Sequence, residues 1–352
     1  MHRFDYSFLD NGLLPAGIVN LTATISVFKA LSVERKEKNK KVYTELEAIA
    51  RVQSVKSSNA IEGIVTTDAR IKEIVDGNSA PLNHNEAEIA GYRDALDEIH
   101  KHHDELTVNE DTILHMHQVL LGILGEAYGG KYKAEDNLIM AVDAAGRRSV
   151  RFRPVSAAET KEAMEQLVFA YMEARNNPRV NQLLLVPCVI LDFLCIHPFN
   201  DGNGRVSRLL SLLLMYKNGY DVGKYVSFEE QINDAKDAYY DALYESSQGW
   251  HENKNSYTPF MENFLVTLYK CYKELDKRFS TINGKLIPKK QRVEQTVLHS
   301  ILPVSKAEIC DILPDVSVTT VEAVLGKMVR EGVVKKLGQA RSTKYVNAKY
   351  VK

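Results

Sequence analysis

The sequence predicts a mainly α-helical protein, because helical periodicity covers most of the chain and strand-forming sequence is scarce. Five stretches repeat apolar residues at three- and four-residue spacing, which places them on one face of a helix. These stretches are residues 41–56, 85–102, 109–124, 157–175 and 227–247. The hydrophobic share of 45% and the charged share of 26% are those of an ordinary globular protein.

One β-hairpin is predicted between the third and fourth of these helices. Residues 137–154 read NLIMAVDAAGRRSVRFRP, in which a β-rich run, an Asp-Ala-Ala-Gly turn and an alternating run follow one another. Pro154 ends the second strand. The sequence therefore predicts two paired strands on an otherwise helical scaffold.

A boundary is predicted at residues 280–290, STINGKLIPKK, where helical periodicity gives way to Asn-Gly and proline. From Pro288 to Lys352 the chain has twelve Lys/Arg and six Asp/Glu, a net charge of +6 against −7 for the remainder. Two short strands around a basic turn, VVKKLGQARSTKYV, follow three predicted helices at 291–301, 305–313 and 317–331.

Three helices and a wing are the pattern of a winged helix-turn-helix domain. We therefore expect three regions: an N-terminal helical region, a core with the helices that follow it, and a small winged helix domain. Their bounds are 1–108, 109–280 and 288–352.

Bulk properties give expectations about location. The N-terminus, MHRFDYSFLDNG, lacks the basic start and apolar core of a secretion signal. The longest apolar runs are shorter than the roughly 18 residues that a membrane helix needs. The cysteines are far apart, make no Cys-x-x-Cys pattern and are expected to be reduced thiols; they are Cys188, Cys195, Cys271 and Cys310. We therefore expect a cytoplasmic protein with no membrane partner.

Residues 197–208, HPFNDGNGRVSR, form a polar interruption between two very apolar helical stretches. Arg205 and Arg208 lie three positions apart and share a face in the first turns of the second helix. Cations there oppose the helix dipole, and the helix sequence RVSRLLSLLLMYK contains no carboxylate to offset them. Gly202 and Gly204 allow close approach to the backbone, whose free N–H groups point to the same place. The stretch predicts a polyphosphate cradle.

Two further side chains add chemistry to this cradle. Asp201 is adjacent, and Mg²⁺ is usually bound by one or two carboxylates together with phosphates and water. His197 ends the preceding helix and is the residue type best suited to take a proton from a hydroxyl near neutral pH. Together these features indicate nucleotide-dependent group transfer.

Residues 197–208 also resemble, position by position, the signature of the Fic family, His-Pro-Phe-x-Asp/Glu-Gly-Asn-Gly-Arg-x-x-Arg. The resemblance covers roughly residues 1–280 and implies a Fic-type helical domain, with the 137–154 hairpin as a flap that docks the target by strand addition. Most Fic proteins transfer AMP from ATP to a hydroxyl of a target protein. The resemblance therefore implies an ATP- and Mg²⁺-dependent protein adenylyltransferase, acting on Ser, Thr or Tyr of target proteins and of itself.

The resemblance also implies a role for each matching residue. His197 would be the general base, Asp201 the Mg²⁺ ligand and Phe199 a core anchor. The anion hole around the α- and β-phosphates would be formed by Gly202, Asn203 and Gly204. Arg205 and Arg208 would bind the outer phosphates, with Arg208 on the γ-phosphate.

A second stretch, SSNAIEG at residues 57–63, resembles the family's inhibitory motif, Ser/Thr-x-x-x-Glu-Gly/Asn, through Ser58, Glu62 and Gly63. It ends a predicted helix and precedes the core, as in Fic proteins with an N-terminal inhibitory helix. The resemblance implies that Glu62 pairs with Arg208 where the γ-phosphate would sit, so that the enzyme rests in an inhibited state. In some relatives this glutamate positions a water that removes AMP, so the reverse reaction stays open.

Three weaker signals concern the rest of the site. Tyr239 and Tyr240 match a family position that lines the adenine pocket, although aromatic pairs at helical spacing are more often core residues. His115 and His117 point to different helix faces, and we expect no zinc. A phosphotransferase branch of the family carries Ala-Asn-Lys in place of the Gly-Asn-Gly at 202–204, so AMP transfer is favoured here over phosphorylation.

The predicted winged helix leaves a function of another class open. Helix 317–331 and the basic wing have the elements of a DNA-binding surface, but the first turns of that helix carry few basic residues. Protein docking or homo-oligomerisation is therefore an equal alternative. The nearest rival within the enzyme class is removal of AMP, or phosphotransfer, by the same site, and a rival of another kind is a transcription regulator whose nucleotide-sensing Fic domain gates the winged helix.

Overall fold

A computed structural model describes residues 2–142, 146, 148–283, 288–298, 300, 303–313, 316–338 and 343–350. Within these residues the fold is mainly helical, with fifteen α-helices and five short strands. The helices are α1 Phe8–Asn11, α2 Ala16–Lys38, α3 Lys40–Ile61, α4 Asp68–Val75, α5 His84–His102, α6 Glu110–Gly122, α7 Ala157–Asn176, α8 Gln182–Ile196, α9 Asn203–Lys217, α10 Phe228–Asp234, α11 Lys236–Ser247, α12 Thr258–Asn283, α13 Lys289–Leu298, α14 Lys306–Ile312 and α15 Val318–Arg330. The strands are β1 Ile139–Val142, β2 Arg148–Phe152, β3 Val304–Ser305, β4 Val334–Leu337 and β5 Lys344–Asn347.

One hydrophobic core runs from Tyr6 to Phe279 and joins the predicted N-terminal region to the predicted catalytic core. Its centre is the pair of helices α8 and α9, which pack against each other and against α5, α6, α7 and α12. Every residue of α8 after its first is buried, and so is α9 from Val206 to Tyr216. The loop between these two helices is therefore anchored at both ends by the best-packed part of the molecule.

Four of the five predicted helices are confirmed within a few residues, as α3, α5, α6 and α7. The single helix predicted at 227–247 is wrong, because the chain forms two helices there, α10 and α11. Ala235 separates them with φ −126° and ψ 36°, outside the helical region. Helix α11, which follows the break, packs against α12 and α8.

Helix α2 is absent from the sequence prediction. By length and composition alone it is apolar enough to cross a membrane, two criteria that buried core helices also meet. The expectation that every apolar run is too short overlooked it, because threonine, serine and asparagine interrupt its apolar positions. In this structure α2 packs along α12, with Ile18, Thr22 and Ile25 buried.

The predicted hairpin is confirmed as the antiparallel pair β1 and β2. Met140 is opposite Val150, and the register shifts between Ile139 and Met140. The tip that was predicted as an Asp-Ala-Ala-Gly turn lies largely outside the described residues.

A second hydrophobic core lies in the C-terminal region and is built by α13, α14 and α15 with β4 and β5. The three predicted helices and two predicted strands are present, and β3 adds a short third strand in the order β3-β5-β4. Residues 284–287 at the predicted boundary and residues 339–342 at the tip of the wing lie outside the described part of the chain. The domain bounds stay a prediction.

Candidate active site

Helix α8 ends at the predicted base. His197 is its C-terminal cap, with φ 52° and ψ 62° in the left-handed region. Among the described residues, Asn253 is the one other non-glycine residue with a positive φ. Such a backbone costs on the order of 1–3 kcal/mol and persists where the surroundings over-determine it. The conformation turns the chain out of the helix and directs His197 into the cavity described below.

The imidazole of His197 is held in its neutral form. Burial lowers its pKa to about 4, and the Lys133 ammonium acts in the same direction, whereas Glu62 and Asp201 oppose it. Since a neutral ring nitrogen accepts a proton, the group is in the state that a general base requires at neutral pH.

The loop after His197 is closed by its own side chains. Asn203 accepts a hydrogen bond from the Phe199 N–H at 2.9 Å and donates one to the Phe199 carbonyl at 2.8 Å. Phe199 is fully buried and stacks on His117 with ring centroids 3.8 Å apart, as a core anchor would. The Asn203 side chain thus fixes the loop. Its backbone N–H takes no part in these two bonds and can contribute to the predicted anion hole.

A carboxylate lies against the start of α9. Gly202 precedes the helix with φ 79°, a conformation that favours glycine. A Cβ at Gly204 would stand 2.3 Å from Glu62 Oε1 and 3.3 Å from Arg208 Nη1. The glycine is therefore required for the carboxylate to approach the helix N-terminus, where the dipole favours an anion.

Arg208 is the main partner of this carboxylate. Its Nη2 donates to Glu62 Oε1 at 2.8 Å and to the Ser58 carbonyl at 2.9 Å, and its Nε donates to the Ser58 hydroxyl at 2.8 Å. The Arg208 side chain is 2% exposed and the Glu62 side chain 31%. Glu62 and Ser58 both belong to the C-terminal end of α3, so this helix delivers both groups together.

Arg205 is paired with two other carboxylates. Its Nη1 is 2.5 Å from Glu88 Oε2 and its Nη2 is 3.0 Å from Asp201 Oδ2. Arg205 is 1% exposed and Glu88 8%, whereas the Asp201 side chain is 59% exposed. The phosphate contact of Arg205 remains a prediction, and the structure adds Glu88 on α5 as its fixed partner.

Sequence reasoning missed Glu88 although a signal was present. Glu88 lies on the same face of α5 as Tyr92, Ala95 and Ile99, all of which are buried. A carboxylate in an otherwise apolar stripe usually has a buried cationic partner. The periodicity that revealed the helix could therefore have flagged this residue, but not its partner on α9.

His117 was also missed as a part of the site. The Gly130 N–H donates to its Nδ1 at 3.1 Å, so its Nε2 carries the hydrogen and donates to the Asp201 carbonyl at 3.1 Å. Burial lowers its pKa to about 4. His115, by contrast, is exposed and contacts Glu98 at 2.9 Å. Within the described chain, no three His, Cys, Asp or Glu side chains are placed to hold a metal ion by themselves.

A cavity of about 220 Å³ opens beside His197 and Gly204. Of the two predicted adenine-pocket residues, Tyr240 lines this cavity, but Tyr239 does not and instead packs on Phe260 with ring centroids 5.6 Å apart. Arg151 of the flap closes one side, because it donates to the Tyr240 carbonyl at 2.7 Å and lies 5.1 Å from the Tyr244 ring centre. Tyr244 and Arg151 were not predicted.

Comparisons with known proteins agree with this geometry. The family model described as Fic/DOC family matches residues 107–215, which hold α6, the hairpin and the loop between α8 and α9. The protein adenylyltransferase fic-1 of Caenorhabditis elegans is 28% identical over 120 residues, and that of Caenorhabditis briggsae is 26% identical over 120 residues. The match covers 34% of this chain but only 21% of the length of these curated relatives.

Solved structures share the fold. A Fic family protein from Desulfovibrio desulfuricans G20 has a TM-score of 0.61 at 19% identity, covering 95% of this chain and 97% of that one. A Fic domain-containing signaling protein from Bacteroides thetaiotaomicron has a TM-score of 0.58 at 19% identity and covers 73% of this chain and 95% of that one. Fic-1 residues 134–508 from C. elegans has a TM-score of 0.54 at 20% identity, with 74% and 70% covered. Residues 107–215 therefore match the Fic/DOC family model, and the mainly helical fold around them is the fold of solved Fic proteins.

Proposed function

We propose that this protein transfers AMP from ATP to a hydroxyl side chain of a protein, and that Glu62 holds the resting site closed. One observation carries the proposal. The Glu62 carboxylate lies between the N-terminus of α9 and the buried Arg208, in a place that a Cβ at position 204 would fill. A site that binds a carboxylate through a helix N-terminus and a guanidinium has the chemistry to bind a phosphate.

The chemistry assigned to this geometry is an in-line displacement. His197 takes the proton of the target hydroxyl, and the hydroxyl oxygen attacks the α-phosphorus of ATP. The bond between the α-phosphorus and the bridging oxygen breaks, and pyrophosphate leaves with that electron pair. The N–H groups at the start of α9 face the charge that develops on the phosphate oxygens, which is electrostatic stabilisation of the transition state.

Asp201 fits the role of magnesium ligand. Its side chain is 59% exposed at the mouth of the site, and its Oδ2 is already oriented by Arg205. One carboxylate of this kind suits Mg²⁺, which takes its other ligands from phosphate and water. When bound, the ion would neutralise charge on the phosphates and polarise them.

The flap offers a docking edge for the target. Met140 and Val150 face each other across β1 and β2, and both are more than two-fifths exposed. We assign this exposed apolar pair to contact with an extended target segment that adds to the hairpin by backbone pairing. The cavity beside His197 is lined by Ile139 and Phe152 of the same hairpin, so a docked segment would lie next to the base.

Removal of AMP is the second candidate function, because Glu62 lines the same cavity as His197. A partly exposed carboxylate there is placed to orient a water toward a modified hydroxyl. This reaction would use the same residues in reverse.

Incubation with labelled ATP separates these functions. Label from α-labelled ATP should appear on protein and label from γ-labelled ATP should not, because AMP and not phosphate is transferred. His197→Ala should abolish transfer and leave ATP binding within a few-fold, since imidazole contacts the hydroxyl and not the phosphates. Label from the γ-position on protein, or transfer retained in His197→Ala, would contradict the proposal.

A further inference from the structure

Residues 133–137, between α6 and the flap, contact one side of the loop at residues 197–202, which joins α8 to α9 and is called the catalytic loop below. The backbone N–H of Lys133 donates to the Pro198 carbonyl at 2.9 Å, and its Nζ donates to the Ile196 carbonyl at 3.2 Å. Asn137 donates to the Phe199 carbonyl at 3.1 Å. The carbonyls just before and just after His197 are thus both bonded to one residue.

The segment is braced internally. Lys133 Nζ also donates to Asn137 Oδ1 at 3.0 Å, so the two side chains orient each other. Lys133 is 3% exposed. A lysine is rarely so buried, and burial lowers its pKa to about 8. Keeping an ammonium in this place is costly, which indicates that it does more than fill space.

His197 needs such support because its backbone is in the left-handed region. The last carbonyls of an α-helix lack partners within the helix, and here one of them, Ile196, is satisfied by the ammonium. A strained residue keeps one orientation only if its neighbours are fixed on both sides. The contacts of Lys133 on both sides of His197 meet this requirement.

We propose that Lys133, braced by Asn137, is a positioning residue that sets the orientation of the His197 imidazole for proton transfer. It touches neither the predicted phosphate groups nor the target, and it acts through the catalytic loop. The inference rests on the proposed function, since it concerns the base of that reaction. It predicts a loss in the rate of the chemical step with little change in ATP affinity.

The test uses the full chain in a Glu62→Gly background, so that self-modification with α-labelled ATP is measurable. Lys133→Met removes the side-chain bonds to the Ile196 carbonyl and to Asn137 and the charge, at similar side-chain length, and leaves the backbone bond to the Pro198 carbonyl in place. We expect the rate at saturating ATP to fall at least tenfold, about 1.4 kcal/mol in barrier, while the ATP concentration for half-maximal rate stays within twofold. Lys133→Arg, which keeps a cationic donor, should be several times more active than Lys133→Met.

Lys131→Met is the matched control. Lys131 is exposed, lies two residues away and donates to the Ala127 carbonyl at 2.9 Å. The same chemical change there should leave the rate within twofold. Asn137→Ala, which removes the brace without changing charge, should show a smaller loss of the same kind, and it decides the question if Lys133→Met does not fold.

NMR gives a readout that does not depend on turnover. In protein labelled at histidine Cε1, the resonance of the His197 imidazole is assigned as the one that is missing in His197→Gln. It should shift in Lys133→Met and not in Lys131→Met. The proposal is overturned if Lys133→Met keeps both its rate and its resonance, if the loss appears as weaker ATP binding, or if Lys133→Arg is no better than Lys133→Met. If the Glu62→Gly parent transfers no AMP, the proposed function fails, and the resonance alone then judges the positioning role.

Discussion

Two arginines one turn apart on α9 are both buried and both paired with a carboxylate, yet their partners differ in kind. Arg208 is hydrogen-bonded to Glu62, which caps the C-terminal end of α3 and is 31% exposed. Arg205 forms an ion pair with Glu88, which lies within α5 and is 8% exposed. A ligand can displace the first carboxylate from the cavity side, but it would have to unpack a helix to displace the second. We therefore expect Arg208 with Glu62 to be the replaceable pair and Arg205 with Glu88 to be the fixed pair.

The largest expected loss of stability comes from a substitution in the fixed pair of Arg205 and Glu88. Glu88→Gln keeps the side-chain shape but leaves the Arg205 charge with Asp201 alone, and breaking a buried pair costs on the order of 3 kcal/mol. Glu62→Gln should cost less than about 1 kcal/mol, because its carboxylate is partly solvated and Ser58 still holds Arg208. Urea unfolding followed by the fluorescence of Trp250, which is buried in the same core, measures both. Equal costs for the two substitutions would remove the distinction.

The replaceable pair is tested by activity. Glu62→Gly should free Arg208 for the γ-phosphate and raise self-modification and target AMPylation at least tenfold, which corresponds to about 1.4 kcal/mol of barrier. Adding Arg208→Ala should remove the gain, because the phosphate then has no partner. Transfer from α-labelled ATP measures the change. Unchanged or lower activity in Glu62→Gly would mean that the glutamate is structural or serves the removal of AMP.

The distinction also marks what could be predicted from sequence. His197, Asp201 and Arg208 were predicted because twelve consecutive residues carry them, and Glu62 was predicted from a short pattern, whose glutamate lies against Arg208 in the structure. Glu88, Lys133 and His117 were not predicted, because their contacts with the site join residues that are far apart in sequence. Four helices followed from local periodicity, but the break at Ala235 interrupts a stretch whose periodicity continues across it.

An effect of intermediate size is expected on the stability of the protein at acidic pH. His100 and His117 are buried with pKa values lowered to about 3 and about 4, chiefly by burial, and His197 is similar. A lowered folded-state pKa gives stability that is present above pH 6.5 and lost as the pH falls toward 4, because the unfolded chain takes up protons that the folded chain does not. The free energy of unfolding of the part of the fold that holds the site, including the His117 contact with the Asp201 carbonyl, should therefore fall on acidification.

One buried carboxylate opposes this trend. Burial raises the pKa of Asp192 to about 7, so its contribution is present below its unfolded value near 4 and is lost as the pH rises toward 7. Circular dichroism during urea unfolding should show the free energy of unfolding falling from pH 6.5 to pH 4.5 in the natural sequence. Asp192→Asn should make that fall steeper. A stability that rises on acidification would show that the histidines do not dominate.

The smallest stability effect is expected at Asp201, the third carboxylate of the site and the most exposed. Its side chain shares Arg205 with Glu88 but is largely solvated, and an exposed ion pair contributes about 0–1 kcal/mol. Asp201→Ala should therefore leave the urea midpoint nearly unchanged while weakening both magnesium-dependent ATP binding and turnover, since phosphates then lose the ion that organises them. The comparison with Glu88→Gln is informative because both substitutions remove a carboxylate from the same arginine. Calorimetric titration of ATP with and without Mg²⁺ measures the binding effect. If Asp201→Ala unfolds as readily as Glu88→Gln, both carboxylates belong to the fixed part of the site, and if it binds Mg²⁺-ATP normally, the metal ligand lies elsewhere.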